Sequence, residues 1–323
     1  MTNGVTFADT SLAIAVVSIA YALALPMWLF RQRSSKARTL LLIGQCTMLF
    51  VIPWLYPAQP VALKAAVTLA CCAVLPPKLL DTHLHPRYWL GRPLHSWLAY
   101  LVNPFILVHR LHGDAPVNRA AGRRLAMRGL FEMALGGFVL WYAFHVIDSR
   151  GPGRAISFWL EHAIKLLGAY LLAFDGLFVF ATGIIRMLGG KVLDLSRNPA
   201  AAATPADFWR AYNCEAGRFL REDVFFPLGG RRHPIRLAAV AFLINGLLHE
   251  YLALIMVGRI TGYQMMFFTL HGAAAAATLR WRPHRWARLA GIVTTVLFLY
   301  FTSILFFATI DLFLPWHARD IVI

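Results

Sequence analysis

Runs of about twenty apolar residues, separated by short loops rich in arginine, constrain this chain more than any other feature. At 1.5 Å of rise per residue, about twenty such residues carry a helix across the hydrocarbon core of a bilayer. Composition points the same way, since 59% of the 323 residues are hydrophobic and 14% are charged. A soluble domain averages about 25% charged residues. No long polar stretch could build a separate soluble unit, so residues 1–323 are read as a single membrane-embedded domain. The expected class is an all-α polytopic membrane protein.

The charge balance fixes a topology rather than a nucleic-acid partner. The net charge of +16 comes from 31 Lys+Arg against 15 Asp+Glu, and the basic residues gather between the apolar runs. That is the positive-inside pattern, not a nucleic-acid surface. Spans are expected near Ser11–Phe30, Thr39–Tyr56, Val61–Leu75, Gly129–Ile147, Leu166–Arg186, Arg236–Val257, Thr261–Leu279 and Leu289–Leu314. With Arg31–Arg38, Lys78–Arg128, Arg186–Arg236 and Arg280–Arg288 on the cytoplasmic side, about eight spans result, with both termini outside. In the first run the positive charge follows the apolar stretch, the reverse of a secretory signal, so an uncleaved span is expected. Compact loops suggest a bacterial inner membrane.

Several segments do not read as simple spans. From Pro76 to Arg128 the chain is basic and broken by prolines, and Leu94–His112 suits an amphipathic segment in the interface. Asp81, His83 and His85 lack the spacing of a full ligand set, so no metal site is expected. Ala155–Met187 is too long for one untilted crossing; an interfacial helix carrying Glu161, His162 and Lys165 is expected ahead of the span. Glu161 and Lys165 lie one turn apart and can pair. Asp175 falls mid-span, with a hydrogen bond to a neighbouring helix weighed evenly against a functional role. Cys46, Cys71 and Cys72 read as buried thiols, and Cys214 as a bystander.

Phe208–Tyr251 is the stretch around which the rest is organised. It mixes Arg and Glu with Trp and Phe, breaks at Pro227-Leu228-Gly229-Gly230, and enters an apolar helix reading Asn245-Gly246-Leu247-Leu248-His249-Glu250-Tyr251. Ionisable groups are costly in hydrocarbon and usually face a bundle interior or a wet cavity. Asn245 and His249 share a helical face, with Glu250 about 100° away. The polar segment Phe208–Phe226 is expected to be re-entrant or interfacial, lining an intramembrane tunnel in which His249 acts as base.

Phe208-Trp209-(x)3-Asn213, then Pro227-Leu228-Gly229-Gly230, then His249-Glu250-Tyr251 resembles the membrane-bound O-acyltransferase family, nearest its wax synthase and sterol or diacylglycerol acyltransferase branch. The match covers about 45 residues; many members carry His where this chain has Asn213, and the chain is shorter than most lipid acyltransferases of the family. The resemblance implies transfer of an acyl group from acyl-CoA, as co-substrate, to a hydroxyl acceptor such as a lipid alcohol or sterol. A glycan or secondary-metabolite hydroxyl is the alternative acceptor. Neutral His249 would take the acceptor's proton, and Asn213 would bind the thioester carbonyl. Glu250, Asn245, Trp209 and Tyr212 would line the substrate site. Arg210, Arg218, Arg221, Arg231 and Arg232 would hold coenzyme A phosphates, with anchoring to anionic membrane lipid as the competing role. No cofactor or metal is implied, and homodimerisation is left open. Two rivals come from other classes. One is a proton-coupled transporter using His249, Glu250, Asp175 and His271 as a relay. The other is a haem bundle using His145, His162, His249 and His271.

Overall fold

The computed structural model describes residues 35–55, 61–147, 155–229 and 232–317. Thirteen α-helices are assigned among the described residues, joined in several places by π or 3-10 turns, and no strand occurs there. They are α1 Ser35–Leu55, α2 Val61–Thr68, α3 Leu75–Leu84, α4 Pro86–Leu90, α5 Leu94–Val102, α6 Arg119–Tyr142 and α7 Ala155–Ala169. After these come α8 Leu177–Met187, α9 Pro205–Ala211, α10 Cys214–Phe219, α11 Pro234–Val257, α12 Tyr263–Thr278 and α13 Arg285–Asp311. Six helical runs among the described residues are long and apolar enough to cross a membrane, including Val61–Leu84 and Phe158–Met187. The chain is thus an all-α, multi-pass membrane protein. The expected span at Ser11–Phe30 lies outside the described residues.

Three expectations are corrected. The run beginning at Val61 does not stop at Pro76; it continues through a π turn, Leu69–Val74, into α3. Pro76 and Pro77 fall in the first turn of α3, where a missing N–H removes little. Second, no separate interfacial helix precedes the span after residue 155. α7 runs through the π turn Tyr170–Gly176 into α8, and Glu161, His162 and Lys165 are buried. Third, α12 has 16 residues and is not among the six long runs.

Packing divides the chain into two compact units, residues 1–108 with 248–260, and residues 109–247 with 261–323. In the first unit Leu49, Ile52, Cys71, Cys72, Leu75, Leu79 and Ile255 form the core. Tyr251 joins it by donating its hydroxyl to Phe50 O at 2.6 Å, and it accepts the Trp54 indole N–H at 3.0 Å. Lys78 is fully buried, its ammonium placed on the carbonyls of Tyr100 (2.6 Å), Leu101 (3.1 Å) and Asn103. Those carbonyls close the C-terminus of α5, the end of a helix that attracts a cation.

In the second unit α6 packs against α7 and α8 along a seam of small residues. Gly122, Gly129 and Gly136 recur every seven residues, close to two helical turns. A Cβ at Gly129 would collide with the Phe180 backbone, and one at Gly136 with Leu172 and Gly168. Gly183 meets Ala126 in the same way. Within this seam Asp175 is partnered: Arg128 Nη2 lies 3.2 Å from Oδ2, and the Ser196 hydroxyl donates to Oδ1.

Candidate functional site

The segment bearing the first motif forms two short helices. Thr204 caps α9 by accepting the Asp207 N–H at 3.0 Å, and Pro205 occupies its first position. α9 is sewn to the C-terminal half of α12. The Ala206 N–H donates to Thr278 Oγ1 at 3.2 Å, Arg210 Nη2 to Leu279 O at 3.0 Å, and Trp209 Nε1 to His271 Nδ1 at 3.2 Å. The Trp209 ring also meets Phe242, Phe267 and Phe268. Tyr212 stacks on Phe208 at 5.6 Å, with Phe174 and Phe178 edge-on, and burial pushes its phenol up to about 12.

Asn213 sits at the break between α9 and α10 in a left-handed conformation, φ 38°. Asparagine tolerates that region better than most residues. Its Oδ1 accepts the Ala216 N–H at 3.2 Å, capping α10. An amide whose oxygen is committed to a cap has its Nδ2 fixed in direction as a donor. Nδ2 makes no hydrogen bond among the described residues. Cys214, next in sequence, is buried with its thiol on the Ala211 and Arg210 carbonyls.

Below α10 the basic side chains have specific internal partners. Arg218 is buried, bonded to Glu215 and, at 2.7 Å, to Asp194 O. Its guanidinium is thus spent inside the fold and is not free for a phosphate, contrary to expectation. His112 Nε2 lies 3.2 Å from Glu215 Oε1, while His112 Nδ1 accepts the Leu193 N–H at 2.9 Å. Burial alone would raise the Glu215 carboxyl, but His112 and Arg218 outweigh it and hold the group below the usual carboxylate range. Arg210 is half-exposed and paired with Asp207 at 2.6 Å; Arg221 is exposed beside Glu222 at 3.1 Å. Arg232 is exposed, and Gly230 and Arg231 lie outside the described residues.

The second motif lies on α11, with Asn245 and His249 one turn apart and both partly buried, and Glu250 buried. Asn245 belongs to the same compact unit as Trp209 and Asn213, whereas His249 and Glu250 belong to the other. Sequence reasoning missed the role of His271 as the anchor of Trp209. His271 is fully buried, with Nε2 2.8 Å from Thr302 Oγ1, and the Thr302 hydroxyl is itself donated to Phe298 O at 2.6 Å. The ring is therefore the neutral tautomer, accepting at Nδ1 and donating from Nε2. Sixty-two residues separate His271 from Trp209, so no local pattern could have signalled the pair. No protein-family model matches the chain, and no curated protein matches it.

Proposed function

We propose that the protein is a membrane-bound O-acyltransferase that moves an acyl group from acyl-CoA to a hydroxyl acceptor, a lipid alcohol or sterol being the class favoured by the motifs. The observation that carries the reading is Asn213: a left-handed residue whose amide oxygen is committed to the α10 cap, leaving an oriented N–H donor within the first motif. A preorganised donor of this kind stabilises the oxygen on which charge develops when a thioester carbonyl is attacked. His249, as the neutral imidazole, removes the acceptor's proton as its oxygen attacks; coenzyme A thiolate leaves and takes up a proton. Trp209 holds α9, and with it the approach to Asn213, against α12. The Arg210 and Arg221 side chains are 41% and 52% exposed, which suits contact with phosphate at the mouth of the site.

The rival readings gain nothing from the geometry. Both nitrogens of His271 are engaged, and Asp175 is bonded to Arg128 and Ser196, so neither resembles a relay group waiting for a proton. Both nitrogens of His162 are engaged as well, which leaves no lone pair for haem iron.

The test is thioester turnover by purified protein reconstituted with long-chain acyl-CoA and a panel of alcohols. Release of free thiol that depends on an added alcohol, and its loss in His249→Ala with insertion and thermal stability retained, is the expected result. Full activity in His249→Ala removes the histidine from the mechanism. A lack of turnover by the unsubstituted protein with every alcohol, sterol and sugar acceptor removes the reading itself.

A further inference from the structure

A polar row unrelated to either motif closes the C-terminal end of α13. Past Asp311 the chain folds back, and residues 312–317 form a strap over α7 and α13. Asp311 Oδ1 accepts the N–H groups of Trp316 (2.7 Å) and His317 (2.8 Å), and Oδ2 faces His317 Nδ1 at 2.5 Å. His317 Nε2 then lies 3.0 Å from His162 Nδ1, and His162 Nε2 lies 2.9 Å from Ser303 Oγ. Ser303 in turn donates to Tyr300 O at 2.7 Å. Both imidazoles sit in an aromatic setting, with Phe158 against each of them and Trp316 stacked on Phe307 at 4.6 Å.

Hydrogen counting fixes the protons in this row. Two backbone N–H groups donate to Asp311 Oδ1, which favours the carboxylate, so the hydrogen between Oδ2 and His317 lies on Nδ1. The one Ser303 proton goes to Tyr300 O, so His162 Nε2 must be the donor toward Ser303. His162 Nδ1 and His317 Nε2 then face each other with one proton between them. The pair thus carries one positive charge, and the Asp311 carboxylate at His317 Nδ1 balances it. Nearby charges are already matched. Lys165 on α7 holds Glu161 at 2.8 Å and also donates to Trp316 O, with its ammonium 4.3 Å from the Phe144 ring. The Tyr300 phenol donates to Trp159 O at 2.7 Å, and His145, beside Phe144, has its Nδ1 on Trp141 O at 2.9 Å.

A second proton has one place to go, the one lone pair left between the two rings, and there it removes the acceptor and sets two imidazolium rings nitrogen to nitrogen. The anions that act on the pair, Asp311 and Glu161, are already matched, one by His317 and the other by Lys165. We propose that His162 and His317 form a proton-operated latch: the C-terminal strap is docked while the pair shares one proton and is released when it takes a second.

The experiment is backbone hydrogen exchange of the full chain in lipid nanodiscs, corrected for intrinsic rates, from about pH 8 to about pH 4, which spans the imidazole and carboxylate ranges. Protection of residues 312–317 is expected to fall about tenfold per pH unit below the midpoint, the slope of one linked proton. Amides in the middle of α13 should stay protected over the same range. His162→Asn places an acceptor near Nδ1 that cannot be protonated, and His162→Gln does so with longer reach. At least one of the two is expected to keep the strap docked at acid pH. Four results overturn the proposal: unchanged strap protection in the unsubstituted protein, simultaneous loss across α13, a docked variant releasing with the same pH profile, or an undocked strap at neutral pH in both variants.

Discussion

Trp209 donates its indole N–H to His271 Nδ1 across 3.2 Å, and this bond ties the helix carrying the first motif to α12. His271→Leu would leave the Trp209 donor and the Thr302 hydroxyl without that ring. An orphaned buried donor costs about 1–3 kcal/mol. A lowered thermal midpoint for the purified protein is expected, with partial recovery in His271→Gln, which restores an acceptor. An unchanged midpoint in His271→Leu would show that the aromatic contacts of Trp209 alone hold α9.

The glycine seam makes opposite predictions for two positions on one helix. A Gly129→Val side chain would strike the backbone of Phe180, and with no flexible atom able to yield, a loss of about 3 kcal/mol or more is expected. A Cβ at Gly137 meets nothing within 4 Å, so Gly137→Ala gains helix propensity, about 1 kcal/mol. Unfolding in mild detergent with added denaturant compares the two, and equal effects would contradict the packing of α6 on α8.

Glu215 gives a pH dependence with a definite sign. Its folded carboxyl is held below the ordinary range by His112 and Arg218 against the opposing effect of burial. Its contribution is therefore complete above the unfolded carboxylate value near 4.3 and is lost as pH falls through the lower folded value. Glu215→Gln should flatten the acid limb of a stability–pH curve while lowering stability at neutral pH. A variant whose acid limb matches the unsubstituted protein would remove Glu215 as its source.

Asn213→Asp separates the two roles of one amide. The carboxylate still accepts the Ala216 N–H, so α10 keeps its cap, but the N–H donor is gone. Thioester turnover should fall about 10²–10³-fold, as for loss of an oxyanion donor, with little change in thermal midpoint. Comparable activity would confine Asn213 to capping.

Lys78 tests how a buried cation is tolerated in the first unit. Lys78→Met keeps the volume and strips the donors from the carbonyls of Tyr100, Leu101 and Asn103. Unsatisfied carbonyls at a buried helix end cost about 1–3 kcal/mol each. Reduced expression and a lower thermal midpoint are expected, and exchange of the α5 amides should rise before that of α1. Uniform exchange across the unit would argue against a local role.

What was legible in the sequence was whatever is encoded at short range. Apolar runs marked α1, α6, α11 and α13 because crossing hydrocarbon demands length and internal hydrogen bonding. The Glu161–Lys165 pair followed from helical spacing alone, and the structure shows it at 2.8 Å. Pro76 misled, because proline stops a helix in its interior but not in its first turn, and only the π turn at Leu69–Val74 reveals which applies.

The sequence by itself determined that this chain lives in a membrane as a bundle of helices, since composition and apolar run length are local quantities. Only the tertiary structure decided what each buried polar group is for. His271 meets Trp209 from 62 residues away, and His162 meets His317 from 155. A buried polar atom must find a partner, but which partner depends on how the helices pack, and packing is a property of the whole bundle.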